Sequence, residues 1–392
     1  MTDPAGAKAD DQGDGPKRFS VACLSHLTWD KNLFQRPQQV MSRLARRHPI
    51  EFFCQVPTRL FWSLPRQSAF CYSFSPDAKV NVNYVPFVPM TGKGRMFRSI
   101  NRWLYTRKAA SLVKRRSSRP LVLWLYHPKD YRIIDLLDAD LVVYDCMDEF
   151  RAFMHSEPET REFERRLIGR ADLVFAGGRS LFEAKKALNR NTHLFPCGVE
   201  FEHFARATSP ETELADEMRQ IPRPIIGYVG AVDERLDYSL LEASAKSNPG
   251  WSFVLIGPLL KVNPKRLFEM PNVFYLGAKP YAELANFMKA FDVAMMPFAL
   301  TELTMKISPT KTLEYMSAGL PVVSSRVPDV VADYSELVEF FDSPTSFDEA
   351  VGRCLTASSE ARGRLQDAAQ GKSWDAMVNA MERLVADGLA AK

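Results

Sequence analysis

Short apolar runs that recur between amphipathic helices limit this chain to few folds. FSVACLSHL (19–27), IEFFCQV (50–56), LVLWLYH (121–127), LVVYDCM (141–147), ADLVFAGG (171–178) and THLFPCGV (192–199) are strand-length and mostly apolar, with NVNYVPFVP (81–89) as another extended piece. A strand that is apolar on both faces belongs in a parallel sheet covered by helices on both sides. The stretches between supply those helices: QRPQQVMSRLARRH (35–48), a basic segment ending at Arg116, a short helix around Ile133 to Leu137, a charged one from about Glu157 to Ile168, and one at Ser180 to Leu188. The second half repeats the plan with PIIGYVGAV (224–232), SFVLIGP (252–258), VFYLGA (273–278), FDVAMMPF (291–298) and LPVVSS (320–325). A chain of 392 residues suits two cores of ordinary size. The expected division is a disordered tail over 1–17, an α/β domain over 18–205, a charged linker over 206–223, a second α/β domain over 224–372 and a final helix over 373–392. Trp374, Met377, Met381 and Leu384 lie along one stripe of that last helix.

Composition removes several classes. Apolar content of 46% and charged content of 25% are those of a globular protein. No apolar run approaches the roughly 20 residues that span a bilayer. The start, MTDPAGAKADDQGDGPK, lacks the apolar centre of a signal peptide. The six cysteines form no C-x-x-C pair, which fits reduced thiols in a cytoplasmic protein. No G-x-G-x-x-G follows the first strand, so a dinucleotide dehydrogenase is disfavoured, and neither a P-loop nor G-x-S-x-G occurs.

The net charge of +4 hides an asymmetry. No acidic residue lies between Asp77 and Asp130, a stretch with twelve lysines and arginines. Within it MFRSINRWLYTRKAASLVKRR has helical spacing, with Met96, Ile100, Trp103 or Leu104, Leu112 and Val113 as the apolar positions. Two readings stay open: a basic amphipathic helix at 93–119 resting on a membrane surface, or a core-packed helix with a solvated basic face. Nucleic acid is a poorer fit, because no motif or aromatic platform accompanies the charge.

The run from Ser308 to Ser325, SPTKTLEYMSAGLPVVSS, reads as a helix built to receive an anion. Ser308 suits the N-cap and Pro309 the first helical position. The first-turn N–H groups, the Ser308 and Thr310 hydroxyls and the Lys311 ammonium then surround one point. Glu314, one turn on, has two oxygens able to accept from both hydroxyls of a ribose. Gly319-Leu320-Pro321 stops the helix. An ordinary capped helix–strand unit has the same punctuation.

In the form P-x-K-x-x-E-Y-x-x-x-G-x-P-V-V this run resembles the donor-binding signature of GT-B glycosyltransferases, particularly the family-four group that builds bacterial surface polysaccharides. The resemblance covers about residues 19 to 385 and is most specific around 308–323. In the first domain, QRPQ and YDCMD resemble a subgroup making exopolysaccharide or teichuronic-type polymers. It implies an α/β fold of two Rossmann-like parallel-sheet domains facing a cleft, with the C-terminal helix crossing back to the first domain. It implies a UDP- or GDP-sugar as co-substrate, no separate cofactor, no metal, and a glycan or polyprenyl-diphosphate-linked acceptor at the inner face of the cytoplasmic membrane. One position departs: where the family carries a Glu that contacts the donor sugar, eight residues before the ribose Glu, this chain has Lys306. Either Glu302 or a backbone group replaces it, or the donor differs.

Ligands of open α/β sheets bind beyond the carboxyl ends of the strands, which turns scattered polar residues into candidates. In the second domain these are Gly230, for close backbone approach, and Arg235, for the donor phosphates, beside Lys306, Ser308, Thr310, Lys311 and Glu314. Arg235 and Lys311 together would offset the leaving diphosphate. In the first domain His26, Trp29 and Asp30 follow the first strand, and Arg36 opens the next helix. His127 ends a strand as a candidate proton relay. Asp148, in VVYDCMDEF, is the candidate base, with helix capping by Asp145 and Asp148 as the plain alternative. Asp138-Ala139-Asp140 precedes its strand and reads as a turn rather than a D-x-D metal site. A GT-B epimerase and a non-catalytic nucleotide- or membrane-binding member are the rival functions.

Overall fold

The computed structural model describes residues 18–29, 34–57, 71–87, 94–150 and 159–392. Two sheets account for the apolar runs. The first has eight strands in the order β3-β4-β2-β1-β5-β6-β7-β8. These are β1 (Ser20–Ser25), β2 (Ile50–Pro57), β3 (Tyr72–Asp77), β4 (Val80–Phe87), β5 (Leu121–Leu125), β6 (Leu141–Cys146), β7 (Leu173–Ala176) and β8 (Thr192–Leu194). All pairings are parallel except β3 with β4. The second sheet, β11-β10-β9-β12-β13-β14, is parallel throughout. It comprises β9 (Ile225–Val229), β10 (Ser252–Ile256), β11 (Val273–Tyr275), β12 (Val293–Met296), β13 (Val322–Ser325) and β14 (Val338–Phe341). Five helices matter for the site: α1 (Arg36–Leu44), α2 (Gly94–Arg116), α3 (Thr160–Ile168), α4 (Thr310–Ser317) and α5 (Trp374–Ala390).

The central strands of both sheets are buried along their whole length, as two-sided apolar runs require. Helix α5 crosses back to the first domain: Trp374, Met377, Val378, Met381 and Val385 join the core containing Phe19, Val21 and Phe52. Glu382 on the same helix is buried and bonds His48 Nε2 at 2.8 Å. The final helix therefore fastens the two halves together by apolar burial.

Three expectations change. The stretch 206–223 is no free linker, because Ala207, Met218 and Ile221 are buried in the second core. The short helix expected around Ile133 to Leu137 is a 3₁₀ segment, Pro128–Asp135, that begins directly after His127. The buried face of α2 carries Tyr105, Thr106, Ala109, Ala110, Leu112 and Val113, while Ile100, Trp103 and Leu104 are 45%, 54% and 50% exposed. Leu112 and Val113 of the expected stripe are thus buried with Tyr105, whereas Ile100, Trp103 and Leu104 face outward. The tail 1–17 lies outside the described residues.

Candidate functional site

Strand order reverses beside β1 and β5 in the first sheet and beside β9 and β12 in the second. Loops leave such neighbours in opposite directions and open a crevice at the carboxyl edge. His26 follows β1 and His127 follows β5, while the Gly230–Arg235 loop follows β9 and the loop bearing Lys306 and Ser308 follows β12.

Helix α4 begins one residue later than expected. Pro309, in extended conformation, occupies the capping position, Thr310 is the first helical residue, and no side chain caps it. Ser308 turns toward the first domain instead. A Cβ added to Gly178, just beyond β7, would lie 2.8 Å from the Ser308 Cβ. The helix start faces Pro196 and Cys197 of the first domain across a crevice of about 10 Å³, room for about one water. The amino end of α4 thus points into the interdomain gap.

Behind it Glu314 is 8% exposed and is bonded by the Lys311 ammonium. The Tyr315 hydroxyl accepts from Val229 N at 2.8 Å and donates to Val229 O at 3.3 Å. That pair of bonds fixes α4 to the end of β9, from which the Gly230–Arg235 loop departs. Burial, then the Glu314 and Glu200 carboxylates, pushes the Tyr281 phenol up, so Glu314 lies within electrostatic reach of the stacked His203–Tyr281 pair, 4.7 Å between centroids. In the loop, Arg235 donates from Nε and Nη2 to Asp233 at 2.9 and 2.8 Å. Gly230 lies beside the Tyr228 hydroxyl, which fills the space a Cβ would take. Its partner in the crossing is Gly257, at φ +146°, where any side chain would strike the Gly230 carbonyl.

Lys306 does not turn to the donor side. Its ammonium reaches across the gap to Glu149 at 3.2 Å, a carboxylate buried beside Lys185 at 3.6 Å. Ser180 N and Oγ, also in the first domain, donate to Asp329 Oδ1 at 3.0 and 2.6 Å. Arg179 joins Asp333 in the same seam. These bonds hold the domains together on the β7 side of the cleft.

On the first-domain rim, Arg36 is buried rather than offered to an acceptor. Its Nε donates to Asp145 Oδ1 at 2.8 Å and its Nη1 to Phe195 O at 2.7 Å. Asp145 also accepts from Trp124 Nε1 at 3.3 Å, so it is a partner of Arg36 rather than a helix cap. Trp29 belongs to the core, edge-on to Phe52 at 5.0 Å. Asp30 lies outside the described residues.

His26, His127 and Phe150 form one aromatic cluster, with centroids 5.5 Å apart between the histidines and 4.6 Å between His127 and Phe150. His127 is no relay. Its Nδ1 accepts from Lys129 N at 3.1 Å, which places the ring proton on Nε2, and burial with the Lys129 charge holds it well below the ordinary histidine range. Burial and Lys129 take His26 down to about 3. Asp148 behaves oppositely: burial raises its carboxyl to about 6, against the pull of Arg235 from the other domain and of Arg36. The charge of Arg235, itself paired with Asp233, thus acts electrostatically on Asp148.

Asp138 and Asp140 both hold Arg119, and Asp140 Oδ2 accepts from Leu121 N at 2.7 Å. They sit at the amino end of β5, far from the carboxyl edge, as a turn. Among the described residues no group of three metal-ligating side chains gathers. The sequence reading missed Glu149, Asp233, Gly178 and Asp329. Only Glu149, next to Asp148, carried a local signal. The others acquire meaning through contacts made by the fold.

Residues 223–357 match the family described as glycosyl transferases group 1. A putative teichuronic acid biosynthesis glycosyltransferase, TuaH of Bacillus subtilis (strain 168), is 28% identical over 223 residues, which cover 53% of this chain. The match spans about half of that relative's length, 55%. Among solved structures, sucrose-phosphate synthase from Thermosynechococcus elongatus superposes with a TM-score of 0.70 at 16% identity, covering 95% of this chain and 100% of the other. A trehalose-6-phosphate structure from E. coli, bound with UDP-2-fluoro glucose, gives 0.70 at 10% identity, covering 94% and 99%. The chain has the GT-B fold. The match to group 1 glycosyl transferases lies in its second domain.

Proposed function

We propose that the protein transfers a sugar from a nucleotide-diphosphate donor to a glycan or lipid-linked acceptor in the synthesis of a bacterial surface polysaccharide. The observation that carries this is the amino end of α4 facing the gap, with Glu314 one turn inside it. A diphosphate at that end would be met by first-turn N–H groups and the helix dipole. Lys311 and Arg235 would offset the charge left on the nucleotide, work that needs no metal in this reading. Glu314 would take the ribose hydroxyls. The UDP-sugar bound by the E. coli neighbour supports a nucleotide sugar as the donor.

Asp148, ionised above about pH 6, would accept the acceptor's hydroxyl proton, and the Nε2–H of His127 would orient that hydroxyl. The Lys306–Glu149 seam spans the gap between the domains, and donor entry would part it. Reclosure then excludes water from the activated sugar. The exposed Ile100, Trp103 and Leu104 among the arginines of α2 fit peripheral contact with the inner membrane face, where a lipid-linked acceptor resides.

Incubation with a panel of UDP- and GDP-sugars plus lipid-diphosphate-linked acceptors tests the assignment. Transfer with one donor, product anomer read by NMR, is the expected result. Donor conversion to an epimer without acceptor, or no turnover with any of them, would overturn it.

A further inference from the structure

Helix α2 begins at the carboxyl edge of the first sheet, where β4 ends, and runs back to the amino edge, where β5 begins. Its first half borders a cavity of about 300 Å³ lined by Arg98, Arg102, Trp103 and Arg107, with Arg132 from the Pro128–Asp135 segment and Phe163 from α3. Two carboxylates also reach the lining, and one of them, Asp135, is bonded to Arg170 at 2.7 Å. Arg107 stacks over the Trp103 ring at 4.8 Å, and Arg102 over Phe163 at 4.6 Å. Stacking holds the Arg107 guanidinium by its face, a geometry in which an arginine's in-plane donors suit phosphate oxygens. Ile100, Trp103 and Leu104, spaced to share one side of α2, are half exposed beside this cavity.

We propose that this cavity binds the diphosphate of a lipid-borne substrate, whose tail lies along Ile100, Trp103 and Leu104. The proposal rests on the acceptor half of the function above and gives that acceptor's phosphate a place outside the catalytic cleft. Arginine donors match phosphate oxygens two at a time. A soluble diphosphate would account for the arginines but leave the apolar triplet unexplained; a lipid diphosphate uses both. The remaining basic residues of α2 add attraction to an anionic bilayer. Arg102 is close enough to lower His127 electrostatically, so a phosphate held here lies alongside the acceptor rim.

Calorimetric titration of the full chain with farnesyl diphosphate, inorganic pyrophosphate and farnesol decides the matter. Farnesyl diphosphate should bind at least tenfold more tightly than pyrophosphate, and farnesol should give no saturable heat. Arg98→Glu with Arg132→Glu should weaken farnesyl diphosphate at least tenfold, whereas Arg115→Glu, on the same helix outside the cavity, should change it less than twofold. Should the reversals perturb folding by circular dichroism, Arg98→Gln with Arg132→Gln replaces them with the same expected direction. Equal binding by the cavity variant and the parent, equal binding of pyrophosphate and farnesyl diphosphate, or no binding of farnesyl diphosphate to the parent each overturns the proposal. UDP titrated into the same samples separates the readings: UDP binding with no farnesyl diphosphate binding sinks the cavity alone, and the reverse sinks the donor site alone.

Discussion

On the first-domain rim, His26 and His127 are neutral at physiological pH and Asp148 is held near protonation, whereas the second-domain rim keeps Arg235, Lys311 and Glu314 in charge pairs. Each second-domain pair closes within three residues of sequence, Arg235 on Asp233 and Lys311 on Glu314. The charges of the first rim are instead settled by partners from distant elements, as with Arg36 and Asp145. The difference follows from the tasks proposed. A rim that meets a diphosphate needs permanent charge, held ready by a neighbour that the ligand can displace. A rim that removes a proton needs a desolvated carboxylate whose affinity for that proton approaches neutrality.

The largest effect expected is at Asp148. Asp148→Asn should lower kcat about 10²- to 10⁴-fold, the usual worth of a positioned base. The parent's kcat/KM should fall tenfold per unit below about pH 6, because only the ionised carboxylate accepts a proton. Stability should move the other way. The folded carboxyl titrates above its ordinary value near 3.9, so ionised Asp148 costs the folded state above pH 6, and the cost vanishes as pH falls toward 4. Asp148→Asn should therefore stabilise the protein at pH 7 by about 1–2 kcal/mol, less than the full shift because the side chain is partly exposed. Chemical denaturation at pH 7 and pH 4 checks this; an unchanged kcat or a loss of stability at pH 7 would place Asp148 on the structural side of the comparison.

Next comes the opposite rim. Arg235→Ala should cut kcat/KM about 10- to 100-fold through weaker hold on the leaving diphosphate, with little change in acceptor KM, as steady-state kinetics would report. Met381→Ala, in the helix that ties the halves, should cost about 2–4 kcal/mol of unfolding free energy by leaving a cavity in the first core. Smallest is Lys306→Met. It removes one bond of the seam while leaving Glu149 beside Lys185, so donor KM should shift about threefold, with a larger radius of gyration by X-ray scattering in the absence of ligand. An unchanged radius would assign the seam's hold to Asp329 and Asp333 alone.

Much of the architecture was legible because continuous apolar strands have one common solution. The strands left out were β3, which is polar and half-exposed at an antiparallel edge, and β14, four residues long. Neither offers a two-sided apolar run. At the site, Glu314 and Asp148 stood out through local spacing. Lys306 and Arg36 were misread because their partners lie 157 and 109 residues away, and no local pattern reports a bond that only the assembled domains create. Trp29 looked like a cleft residue for the same reason: burial against Phe52 is decided by tertiary packing.

The central claim, that Glu314 and the start of α4 clasp a nucleoside diphosphate, is tested most directly by a thermodynamic cycle. UDP and 2′,3′-dideoxy-UDP, or the guanine pair if GDP is the ligand, are titrated calorimetrically into the parent and into Glu314→Ala. A carboxylate accepting from ribose hydroxyls is worth about 1.5–3 kcal/mol. Loss of the hydroxyls and loss of the carboxylate should each weaken binding about 10- to 100-fold, and together no more than either alone. Additive losses, or parent and variant binding the natural nucleotide equally, would contradict the account.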